Sequence, residues 1–113
     1  MKIRFSDTYG NDVTYEMNDS ETAHALERLL PMSVEMLSEN NAKYFIPDKK
    51  LNTFGAPLAK GGTESLCYHS SWNEIILYYG GYKVADDLYE IGRPIAGSGQ
   101  IRNLRNPVLV DEL

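Results

Sequence analysis

Sulfur and imidazole are scarce in this 113-residue chain, which has one cysteine, Cys67, and two histidines, His24 and His69. A lone cysteine excludes an internal disulfide, so a packed core must carry the stability. One thiol and two imidazoles fall short of a four-ligand zinc site, and no metal is expected. Basic residues are outnumbered, eleven against sixteen acidic, for a net charge of −5. They are also scattered, with Lys49–Lys50 and the pair Arg102 and Arg105 as the densest spots. A phosphate backbone needs a concentrated basic patch, so nucleic acid is not an expected partner. The same charge balance gives no attraction to an anionic membrane surface. No apolar run approaches the roughly 18 residues that cross a bilayer. The opening "MKIRFSDTYG" has no signal-peptide stretch. The final "VDEL" looks like a retention tail, but such a tail acts only after secretion. The expected location is therefore the cytoplasm, where an unpaired thiol stays reduced.

What the chain does have is an ordinary globular make-up, 42% hydrophobic and 24% charged, at a length that predicts one domain over 1–113. Eight tyrosines against three phenylalanines favour half-buried aromatic surfaces, where the ring packs and the hydroxyl keeps a partner. "KIRF" and "DVTYEM" alternate with period two and predict a hairpin. "NDSETAHALERLLP" shifts to a helical stripe of Ala23, Leu26, Leu29 and Leu30, which predicts a helix over about 20–30, ended by Pro31. "MSVEML" reads as one strand with Met32, Val34 and Met36 on one face, and "AKYFI" follows after an Asn40–Asn41 turn. Residues 47–64 are a long Pro- and Gly-containing loop, expected to act as a mobile flap. "LCYH" and "EIILYY" form a hairpin around "SSWN", and "LYEIGRPIAG" is a further strand. "SGQIRNLRN" predicts a short helix over about 98–105 with Ser98 as its N-cap, and "VLV" closes the chain. Seven to eight strands in so short a chain predict a mainly β, closed or nearly closed barrel, which removes exposed edges.

Several constellations invite chemistry. Cys67 and His69 lie two apart on a strand and so share a face, but no third group is placed to orient them as nucleophile and base. The expectation is a buried thiol beside a rim histidine, and no catalytic residue is assigned. Gly97-Ser98-Gly99 half-mimics a dinucleotide fingerprint, yet Arg102 stands where its third glycine belongs, so no cofactor is expected. Asp86, Asp87 and Glu90 read as solvent-facing charge, and Arg93 as an exposed structural cation. The aromatics are the stronger signal. Tyr44, Phe54, Tyr68, Trp72 and Tyr78, with Tyr79 and Tyr82, come from the flap and from neighbouring strands. They fit an apolar pocket with a few polar hydroxyls, the usual form of a small-ligand or peptide site.

The segments "YEIGRPIAGSGQIRNLRN", "DSETAHALERLLP" and "YHSSWNEIILYYG" occur in an order that resembles the cyclophilins, and more closely the small bacterial cyclophilin-like proteins. The resemblance spans nearly the whole chain. It implies a cyclophilin-like β-barrel capped by helices at its two open ends. It also implies that Ile76 and Tyr78 face a peptide groove while Ile75 and Leu77 enter the core. Cyclophilins isomerise the bond before proline with an arginine on a Phe-x-Arg-aliphatic strand, followed by a Phe-Met-x-Gln-Gly-Gly-Asp segment. Here the matching strands read "SVEMLS" and "KYFIPDKK", with Glu35 or Met36 in place of the arginine and Pro47–Asp48 in place of the glycine motif. The leading expectation is a module that binds a peptide or small molecule in an aromatic-lined groove of Tyr44, Phe54, Tyr68, Trp72, Ile76 and Tyr78. Residual prolyl isomerase activity and a dimeric interaction protein are the alternatives. The oligomeric expectation is a monomer or weak homodimer.

Overall fold

The structure is a computed structural model that describes residues 1–62 and 64–113. Its elements follow the period changes of the sequence. Alternating β1 (Lys2–Ser6) and β2 (Asp12–Met17) place Ile3, Phe5, Val13, Tyr15 and Met17 inward. The turn between them is organised by Asp7, whose carboxylate accepts from the Asn11 amide, the Asn11 and Tyr9 backbone N–H groups and the Arg105 N–H. Burial alone works against charge there, but these donors outweigh it and hold the Asp7 carboxyl down to about 2.

Helix α1 is shorter than the stripe predicts, Glu21–Glu27, because its last turn tightens: Leu29 and Leu30 N–H donate three residues back, to Leu26 and Glu27. Ser20 caps it, its hydroxyl accepting from Ala23 N–H. The remaining elements are β3 (Met32–Val34), β4 (Leu37–Ser38), β5 (Ala42–Phe45), β6 (Ser65–His69), β7 (Glu74–Tyr78), β8 (Leu88–Ala96), a 3-10 helix (Ser98–Asn103) and β9 (Val108–Glu112). No helix of the described residues is long and apolar enough to cross a membrane.

The nine strands form one antiparallel sheet, in the order β3-β9-β1-β2-β8-β6-β7-β5-β4. Its interior is filled by the inward residues of every strand from β1 to β9 except β4, with Phe5 packed edge-on against Tyr15. The two helical segments sit at opposite ends of β2 and plug the two mouths. Ala23 and Leu26 enter from α1, Ile101 and Leu104 from the 3-10 helix side. The mainly β, nearly closed barrel capped by two helical segments that the sequence predicts is the observed architecture.

Two expectations are corrected. The 3-10 helix ends at Asn103, and its N-cap is Gly97, with Ser98 already inside it and no side-chain cap bond. Gly97 stands at φ +79, and a Cβ there would meet the Asp12 carbonyl oxygen at 2.2 Å, so the turn into the helix requires glycine and leaves Ser98 no capping position. The "MSVEML" strand is divided into β3 and β4, although Met32, Val34 and Met36 do face the core together.

That division closes the barrel. β3 pairs with β9 on one side, whereas β4 pairs with β5 on the other, so a single run of chain changes partner between residues 34 and 37. At the change, Pro107 cannot donate to the ladder. The Asn106 side chain substitutes, accepting from Met36 N–H at 2.7 Å and donating to Met36 C=O at 2.9 Å.

Candidate functional site

An open cleft lies beside that change of partner. Beyond Leu37↔Tyr44 the β4–β5 ladder stops. Pro47 supplies no N–H, and among the described residues no backbone hydrogen bond joins 33–35 to 46–48. The two runs diverge around a cleft of about 390 Å³. Its floor is core surface, from Leu29, Met32, Val34 and Phe45. Its walls are Ser33, Glu35 and Leu37 on one side and Ile46, Pro47 and Asp48 on the other. Leu37 and Ile46 are half exposed, at 50% and 58%, which leaves an apolar rim on the outer surface. Glu35 and Asp48 are the only ionisable lining groups, and both are carboxylates. The cleft thus offers apolar contact, one free edge of β3 and negative charge.

The wall formed by 47–51 is held by a buried polar relay. The Tyr68 hydroxyl accepts from Leu51 N–H at 3.1 Å and donates to Asn73 Oδ1 at 2.7 Å. The Asn73 amide in turn donates to Pro47 C=O at 3.0 Å. Thr22 Oγ1 on α1 donates to Asn52 C=O at 2.6 Å. This part of the 47–64 loop is therefore tethered, where the sequence predicts a free flap. The only residue of that loop outside the described residues is Thr63.

The six residues expected to line an aromatic groove are distributed over three places. Tyr68 points into the barrel and serves as the relay just described. Tyr44, Ile76 and Tyr78 share the outer face of β5 and β7, as the resemblance implies for the last two, while Ile75 and Leu77 lie in the main core. That outer face is roofed by the chain itself. Ala59 and Tyr82 pack on it with Ala42, Cys67 and Leu88, and Tyr78 stacks on Tyr82 at 4.0 Å. The roof is fastened by Ala59 N–H to Leu88 C=O and by Glu90 N–H to Pro57 C=O. Phe54 and Trp72 stand apart on loops, 88% and 69% exposed. None of the six lines the open cleft; Tyr44 pairs with its rim residue Leu37, and Tyr68 holds its wall. Tyr79 packs at the edge of the main core with the Arg102 guanidinium 4.9 Å from its ring centre.

Cys67 and His69 engage other partners than each other. The Cys67 sulfur lies against Ser65 Oγ and the Tyr82 hydroxyl, and burial pushes its thiol up to about 11. His69 turns instead to Asp87, Nε2 to Oδ2 3.2 Å, with Trp72 edge-on to its ring. Its Nδ1, which a nucleophile would have to reach, is buried with no partner. Ser71 donates to Asp87, not to the imidazole, and its bond is the main cause that lowers the Asp87 carboxyl. Among the described residues no group of three metal-ligating side chains is assembled.

The sequence reading missed Ser33, Glu35, Leu37, Ile46 and Asp48. A signal was present. Leu37 and Ile46 are outward apolar positions flanking one turn, and Pro47 marks where pairing must fail.

A family model described as "Cyclophilin-like family" matches residues 7–111. A search of curated proteins finds no match. Among solved structures, the chain resembles the solution structure of the hypothetical protein AF2241 from Archaeoglobus fulgidus. The TM-score is 0.71 at 19% identity, covering 100% of this chain and 95% of that one, a likeness of fold.

Proposed function

The chain belongs to the cyclophilin-like family, and from that premise we propose that it is a binding module for an extended apolar peptide segment, held in the open seam of the barrel. The observation that carries this reading is the divergence of 33–35 from 46–48 around an apolar-floored cleft of about 390 Å³. A free strand edge recognises an extended chain through its backbone, and pockets beside it select alternate side chains. Leu29, Met32, Val34 and Phe45 would take aliphatic side chains, and Glu35 and Asp48 favour a guest carrying a cation. This moves the binding surface from the outer face of β5 and β7, which the chain's own roof occupies, to the neighbouring gap. Binding rather than isomerisation is favoured by the lining. Rotation about a prolyl bond is helped by a donor that weakens amide resonance, and the ionisable groups at the seam are carboxylates.

The test is an NMR titration of the 15N-labelled protein with hexapeptides rich in Val, Ile and Leu and bearing one Lys. Shifts concentrated at the amides of Ser33, Glu35, Ile46 and Asp48 are expected. Shifts confined to the outer face around Tyr78 and Tyr82, or none at all, would overturn the reading.

A further inference from the structure

A second cleft of about 380 Å³ opens on the other side of Leu29, between α1 and residues 49–52. The two clefts share Leu29, and consecutive residues of one run wall them both, Asp48 facing the seam and Lys49 and Lys50 the second cleft. Their charges are opposite. The second is lined by Arg28, Lys49 and Lys50 with Ala25, Leu51 and Asn52, and no acidic side chain is among its walls. In a chain of net charge −5 this is a local inversion of sign. Arg28 is engaged by Glu21, whereas Lys49 and Lys50 make no ion pair or side-chain hydrogen bond among the described residues. The backbone that carries the lysines is fixed on both sides, ahead of them by Pro47 C=O on the Asn73 amide and after them by Leu51 N–H on the Tyr68 hydroxyl and Asn52 C=O on Thr22 Oγ1. Ammonium groups on an anchored segment spend less of their interaction on ordering the backbone.

Resting on the seam reading above, we infer that the guest peptide ends at this point: its C-terminal carboxylate, passing Leu29, is received by Lys49, Lys50 and Arg28. The seam then selects the apolar body of the guest, and the second cleft selects a free chain terminus. The chemistry fits in both directions. Acidic side chains at the seam attract a cation within the segment, and the all-basic cleft attracts the carboxylate at its end, so the guest is oriented as well as bound.

The hexapeptides named above distinguish the two readings when made both as free acids and as C-terminal amides. The free acids are expected to bind about tenfold or more tightly than the amides, as for loss of one charge-assisted contact. They alone should shift the Lys49 and Lys50 amides. Lys49→Ala with Lys50→Ala should bring the free acids down to the affinity of the amides; both side chains lie on an exposed surface, so the fold is retained. Equal affinity of acids and amides, with the seam shifts intact, overturns this inference and leaves the seam reading standing. Shifts of the Lys49 and Lys50 amides by inorganic phosphate, with acids and amides equal at the seam, also overturn it, in favour of a separate anion site. No shifts at the seam with either form defeat both.

Discussion

Asn106→Ala tests the closure of the barrel most directly. The side-chain amide makes two hydrogen bonds to Met36, at 2.7 and 2.9 Å, and Met36 is buried. Alanine removes both and leaves the Met36 N–H and C=O to be satisfied only by water reaching them past the exposed position 106. Each lost bond is worth about 0.5–1.5 kcal/mol, and a buried group left unsatisfied costs about 1–3 kcal/mol. Asn106 is itself exposed, so water relieves most of the second cost and the expected destabilisation is that of the two lost bonds, about 1–3 kcal/mol. Urea unfolding followed by tyrosine fluorescence measures it as a lower midpoint with an unchanged slope. Asn106→Asp sharpens the test. It keeps the acceptor for Met36 N–H but sets a carboxylate against Met36 C=O, which raises its folded pKa above the unfolded value. Relative to the parent, its stability should therefore be greatest at pH below about 4, where the protonated acid donates again, and fall as pH rises. An Asn106→Ala protein within about 0.5 kcal/mol of the parent, the range of surface substitutions, would refute the claim that this amide stands in for the interrupted ladder.

Two further predictions follow from groups with defined partners. Tyr68→Phe keeps the ring in the core but removes the relay to Leu51 and Asn73. A stability loss of about 1–2 kcal/mol is expected, together with faster hydrogen exchange at the Leu51 amide; unchanged exchange there would show that the 47–51 wall is held by something else. Asp7, held down to about 2 by four donors, stabilises the fold above its unfolded value and loses that contribution as pH falls from about 4 to 2. Discounted for its exposure, the contribution is about 1 kcal/mol. An Asp7→Asn variant should accordingly lose the acid-dependent part of the midpoint shift, and the same pH profile in parent and variant would contradict the assignment.

The barrel was legible in the sequence because its inward residues repeat with period two over β1, β2, β7 and β9, and because α1 carries a clean stripe ended by Pro31. Local signals of that kind depend on neighbours in the chain. The seam does not. Whether 32–38 is one strand or two depends on which partners lie on each side, β9 for one half and β5 for the other, and these are remote in sequence. Tyr68 shows the same limit. Alternation places it on one face of β6, but only the register with β7 and β8 decides that this face is the interior. The aromatic count drew attention to rings that the fold uses for its roof, its relay and its loops. The cleft is instead lined by aliphatics and two carboxylates that look ordinary one at a time.

The free edge at the seam bears on self-association. An ordinary open sheet has two outward edges, and a strand added to either one presents a fresh edge to the next molecule, which is how ordered stacks propagate. In this barrel β3 pairs with β9 on one side, and its other edge looks across the cleft at 46–48. On the other side Pro47 offers no N–H and its C=O already accepts from Asn73, so a chain accommodated there would pair with β3 alone, against a wall that leaves nothing for a third strand to copy. Uptake at such a gap, as proposed, would terminate after a single guest, so a receptive edge there need not become a template for polymerisation.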